Sequence, residues 1–136
     1  MAIRPIEQPT RPAAARILPS ARPPVIDHGP LDRLEAQISQ KRLRELLRAY
    51  LDAARASLGR IEAMAASEDL AGLAREAHDL KGLSGTFGAM LLQDLAQRLE
   101  AASRRGDLVA ARDLTAGAPA VAAQTWALME SRLDAA

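Results

Sequence analysis

The residues most suited to chemistry lie on one short stretch, where His78, Lys81, Gly82 and Gly85 follow one another at helical spacing. Offsets of three, four and seven residues from His78 put all four on one face of a helix. Glycine stands at 82, 85 and 88 in a chain otherwise rich in strong helix formers. Each glycine inside a helix costs about 1 kcal/mol relative to alanine, so their clustering asks for a reason. A histidine and a lysine beside backbone without side chains form a surface that another protein can approach closely, with positive charge ready for an anion. A neutral imidazole has a nucleophilic nitrogen near neutral pH and needs little of the activation that a serine hydroxyl demands. Lys81 would offset phosphate charge, and Gly82 would keep the path of an incoming donor clear. A carboxylate accepting from Nδ1–H would hold the ring with Nε2 free for attack.

The elements that must position this face are helices. From Pro30 onward apolar residues recur at steps of three and four, beginning with Leu31, Leu34 and Ile38 in a short leading helix. A long helix follows over Lys41–Ala66, with Leu43, Leu46, Leu47, Tyr50, Ala54, Leu58 and Ile61 on one stripe. Ser67–Asp69 supplies a turn with a capping residue. The helix bearing His78 comes next, with Leu70, Leu73, Ala74, Ala77, Leu80 and Ser84 facing inward and Phe87 and Gly88 closing it. Because the His78 face is rotated away from that stripe, it should point outward. Leu91, Leu92, Leu95, Leu99 and Ala102 mark a fourth helix that stops at Arg104, Arg105 and Gly106. A final helix runs to about Leu133, with a kink or short break expected at Gly117 and Pro119. The fold class is therefore all-α, an antiparallel up-and-down four-helix bundle with a short leading helix.

Composition supports one such domain. The chain has 136 residues, 49% of them hydrophobic, and only three aromatic side chains, Tyr50, Phe87 and Trp126. It lacks cysteine, which excludes disulfides, thiolate metal sites and cysteine nucleophiles and fits a reducing cytoplasm. No apolar run is long enough to span a bilayer and no secretory signal opens the chain, so a cytoplasmic protein that does not engage membranes is expected. Net charge is +1, with basic and acidic residues interspersed, which argues against nucleic acid and for protein partners. Seven of the eight prolines fall in the first thirty residues. Residues 1–26 are therefore read as a flexible Pro- and Arg-rich arm, disordered on its own, and residues 27–134 as the bundle.

Ala77-His78-Asp79-Leu80-Lys81-Gly82, then Gly85-Thr86-Phe87-Gly88, then Leu99-Glu100 resembles the signature of the histidine-containing phosphotransfer family. It is especially similar to the version at the amino end of chemotaxis histidine kinases, where a Glu on the following helix contacts the phosphorylated His. The resemblance implies that His78 is the phosphoacceptor and that Lys81, Gly82 and Glu100 support it; Arg75, Gly82, Gly85 and Gln97 are expected to contact the partner. It further implies receiver domains of response regulators and a sensor or hybrid histidine kinase as partners. No cofactor belongs to the chain itself, Mg2+ being expected on the receiver, and a monomeric phosphoryl carrier rather than a self-sufficient enzyme is expected. Two departures stand out: Leu83 replaces the small residue common after the Lys-Gly pair, and Gln97 stands where the chemotaxis version often has a second His. No ATP-binding domain is present in these 136 residues.

Plainer readings exist for each residue. Lys81 alone could be a solvated charge, and Glu100 could pair with Arg104 at i+4 on its own helix, worth about 0.3 to 0.5 kcal/mol. His28 lies beside Gly29 and Pro30 with nothing in the sequence to orient it, and it is given no role. A structural adaptor bundle that binds a signalling partner without carrying phosphate is the rival from another class. A metal-binding bundle would need inward Glu-x-x-His pairs, whereas position 75 is Arg and the only other His is His28.

Overall fold

The computed structural model describes residues 22–135, and the first 21 residues of the expected arm lie outside the described residues. Five helices follow in order: α1 (Gly29–Glu35), α2 (Gln40–Ala66), α3 (Leu70–Thr86), α4 (Met90–Arg104) and α5 (Leu108–Ala135). There is no strand among the described residues. Each long helix packs on its neighbours in the chain, and α5 returns against α2.

The antiparallel sense is written in side-chain pairs. Tyr50 meets Ser84, with the hydroxyl oxygens 2.9 Å apart, and Ser57 donates to Glu76 at 2.7 Å, so residue numbers rise on α2 as they fall on α3. Arg55 reaches Glu130 and Arg112 reaches Glu68, the same relation between α5 and α2.

Sharp reversals between the helices come from one device used three times. At the ends of α2, α3 and α4 a residue in the left-handed region, Glu68, Gly88 or Gly106, turns the chain. The next amide then bonds back across five residues: Asp69 to Met64, Ala89 to Ser84 and Asp107 to Ala102, all at 2.9 Å. Asp69 and Asp107 then cap the following helices by accepting from the Gly72 and Ala110 amides at 2.9 and 3.0 Å.

Gly88 is held more tightly than the others. Its φ is +78°, and a Cβ there would collide with the carbonyl oxygen of Asp27. That close approach exists because the Asp27 amide donates to the Gly88 carbonyl at 2.8 Å, while Leu91 donates to Val25 at 3.3 Å. Val25 packs on the core and Ile26 is part of it. The last residues assigned to the arm are thus pinned to the start of α4, and the bundle begins before Asp27.

Leu31, Leu43, Leu47, Tyr50, Ile61, Leu73, Leu80, Leu92, Leu99 and Met129 form the fully buried centre. Tyr50 stacks on Phe87 with ring centroids 5.0 Å apart and meets Trp126 edge-on at 6.3 Å, so all three aromatic residues share one cluster.

Two local expectations require correction. The leading helix ends at Glu35, and Ile38 packs on the core from the turn that follows. Of the kink or short break expected at Gly117 and Pro119, no break occurs, since one helix runs from Leu108 to Ala135. Ala111, Thr115, Ala118, Ala122, Thr125, Met129 and Leu133 are buried at steps of three and four, whereas Gly117 and Pro119 lie on the exposed side. A proline inside a helix costs about 3 kcal/mol, which the burial of that inward stripe outweighs.

Candidate functional site

His78 projects from the middle of α3 with its side chain 59% exposed, whereas the carboxylate it meets, Glu100 on α4, has a side chain only 11% exposed. Their positions follow from the packing just described. Ala77 and Leu80 face the core on either side of His78, which turns the histidine outward, and Leu99 and Ala102 face the core around Glu100, which leaves its carboxylate buried beside α3. Antiparallel packing of α3 on α4 then brings the two residues level.

Nδ1 of His78 lies 3.1 Å from Oε2 of Glu100, Nζ of Lys81 lies 2.8 Å from Oε1, and Arg104 donates to Oε2 from Nε at 3.0 Å and from Nη2 at 2.8 Å. One carboxylate therefore gathers three side chains. The Lys81 ammonium, followed by the Arg104 guanidinium and His78, lowers the Glu100 carboxyl to about 2 against the opposing effect of burial. It is ionised at neutral pH and can only accept hydrogen bonds. The bond to Nδ1 therefore requires the proton on Nδ1, and in a neutral imidazole that leaves the Nε2 lone pair free. A nucleophilic nitrogen faces solvent while the opposite nitrogen is anchored.

Gly82 is exposed, and a Cβ built there would meet nothing within 4 Å. The backbone beside His78 is thus open to an approaching molecule. Gly85 differs: the side-chain amide of Gln93 on α4 lies over it, so this stretch of backbone is covered by a flexible side chain. Gln97 is exposed on α4, three residues before Glu100, and Arg75 is exposed on α3, three residues before His78.

Both readings of Glu100 hold together, because it accepts from His78 and pairs with Arg104 at i+4 at once. Arg104 does not figure in the expected site. Its only signal in the sequence was that i+4 spacing, which also fits an ordinary surface pair. Lys81 is not a free cation, since it shares the same carboxylate. His28 lies away from this group, yet it is oriented: its Nδ1 accepts from Arg132 at 2.9 Å, and Arg132 also pairs with Asp32 and Glu35. Among the described residues no group of three or more His, Cys, Asp or Glu is placed to hold a metal ion. No helix among them is long and apolar enough to cross a membrane.

An all-helical bundle whose third helix presents an outward histidine, a lysine one turn on and an open glycine beside it defines a histidine-phosphotransfer type of domain. The profile of the Hpt domain family matches residues 45–136, and the chain belongs to that family. Its fold is similar to the crystal structure of histidine-containing phosphotransfer protein B (HptB) from Pseudomonas aeruginosa PAO1. The two are 26% identical, the match covers 83% of this chain and 97% of that one, and the TM-score is 0.78. No curated protein sequence is matched. Family membership assigns the chain to phosphotransfer signalling.

Proposed function

We propose that this chain is a phosphorelay intermediate in which Nε2 of His78 accepts a phosphoryl group from an aspartyl phosphate on a receiver domain, or from a kinase, and passes it to the Asp of a response regulator. One observation carries this reading: an exposed histidine ring whose inner nitrogen is bonded to a buried, ionised carboxylate. In the forward step the Nε2 lone pair attacks phosphorus, the N–P bond forms, the aspartyl O–P bond breaks and the carboxylate departs. The imidazole gains positive charge as this happens. Glu100 is already aimed at Nδ1–H, so it stabilises that charge without reorganisation. Lys81 and Arg104 stand beside the carboxylate, where their charge offsets that of the arriving phosphoryl group. Mg2+ and the residues that hold it belong to the receiver, which makes this chain a carrier rather than a catalyst in its own right. Reversal of the same step delivers the group to the next Asp.

The test is transfer from phosphorylated receivers, or from kinase and receiver pairs, to the wild-type protein and to His78→Gln, scored as acid-labile label. Label on the wild type alone is expected. A folded wild-type protein that takes no label from any receiver would favour an adaptor that binds partners without carrying phosphate.

A further inference from the structure

Beside the histidine lies a second group of residues that the carrier step does not use. A cavity of 460 Å³ opens between the start of α3 and the end of α4, lined by Leu70, Ala71, Ala74, Arg75, Ser103 and Arg104. Two of its features point to an anion.

Ser103 is 5% exposed, and its hydroxyl has no hydrogen-bond partner among the described residues. Buried hydroxyls are ordinarily satisfied, and this one, closed off from solvent in the free protein, can be satisfied by a ligand once its side chain turns into the cavity. Both cations of the lining have capacity to spare. Arg75 makes no hydrogen bond or ion pair among the described residues, and Arg104 spends Nε and Nη2 on Glu100 while Nη1 remains unbonded.

We infer that this cavity is an anion subsite that takes a carboxylate side chain of the docked receiver, held by Arg75, Arg104 and the Ser103 hydroxyl. The inference rests on the relay reading and extends it to partner recognition. Position selects the occupant: Arg75 lies one helical turn from His78, and Arg104 shares Glu100 with it, so a protein seated over the histidine also covers the cavity. The walls contributed by Leu70, Ala71 and Ala74 suit the methylenes of a Glu, with its charge reaching the two guanidinium groups. Arg104 would then bridge the carboxylate that orients His78 and the carboxylate that the partner supplies, joining recognition to the reactive ring.

The experiment uses a receiver that labels His78 of the wild-type protein, and measures its affinity by titration calorimetry for wild type, Arg75→Gln and Ser103→Ala. Arg75→Gln should bind about tenfold more weakly, with a shallower dependence on salt. Ser103→Ala should bind about threefold more weakly while melting no lower than wild type, because it removes a hydroxyl with no partner in the free protein. Neutralising the matching acidic residue on the receiver should abolish the effect of Arg75→Gln. If both variants bind as wild type does while the wild type takes label, the subsite is wrong and the relay reading stands. If no receiver labels the wild type, the relay reading fails and the subsite falls with it.

Discussion

His78 and Glu100 meet across the α3–α4 interface with Nδ1 3.1 Å from Oε2, an exposed ring resting on a buried carboxylate. The contact sets which nitrogen is free, and several measurable consequences follow from the bonds around it.

Glu100→Gln keeps the size of the side chain but not its charge. Lys81 and Arg104 would then flank a neutral amide, and the ring would lose the partner that stabilises its positive charge. Phosphoryl transfer to His78 should fall by about tenfold to a hundredfold, the range typical when the group orienting a functional histidine is altered. A rate equal to wild type would show that Nδ1 is not held in this way.

Acid stability provides a separate check on the same carboxylate. Its pKa is about 2 in the folded protein against 4.5 for the unperturbed group, so between these values the unfolded chain binds the extra proton. The stabilising contribution is complete above about 4.5 and is lost as pH falls towards 2. Denaturant unfolding at a series of pH values should show a steeper acid loss for wild type than for Glu100→Gln across that window.

The two glycines flanking the end of α3 should respond in opposite directions. Gly82 is helical, exposed and open, so Gly82→Ala should stabilise the bundle by about 0.5 to 1 kcal/mol, and a bulky residue there should slow transfer without unfolding it. Gly88→Ala meets both a left-handed backbone and the Asp27 carbonyl, and should cost about 2 kcal/mol or more. Chemical denaturation of the variants measures both.

Tyr50 should report on the core from the alkaline side. Burial pushes its phenol up to about 12 from 10, with the Ser84 hydrogen bond acting the other way. The unfolded chain releases this proton first, so the contribution is complete below about 10 and is lost as pH rises through about 12. As the only tyrosine, it should give a single tyrosinate absorbance rise near the higher value while the protein stays folded. Tyr50→Phe should abolish that rise and cost about 1 to 2 kcal/mol by leaving the Ser84 hydroxyl unpaired.

Much of this was legible because helical periodicity is a local property. The stripes on α2, α3 and α4 could be traced from residue spacing, and with them the outward turn of His78. What spacing could not reveal depended on which residues face one another across helices. That Gln93 lies over Gly85 is a contact between helices that spacing does not give. Glu100 had two plausible partners and has both. The orphaned hydroxyl of Ser103 is visible only once α3 and α4 are packed. Pro119 does not break the helix because its cost is local whereas the inward stripe that offsets it spans the whole of α5. Proline content likewise marked residues 22–26 as arm, although Val25 and Ile26 are held by backbone bonds and core contacts that composition does not encode.

The most direct test of the central claim is the position of the phosphoryl group on the ring. The protein would be phosphorylated by a receiver with the histidine nitrogens isotopically labelled, and the N–P linkage read by NMR. Phosphorus is expected on Nε2 of His78, with Nδ1 still protonated and bonded to Glu100. Phosphorus on Nδ1, or a folded protein that acquires none from any receiver tried, would contradict it.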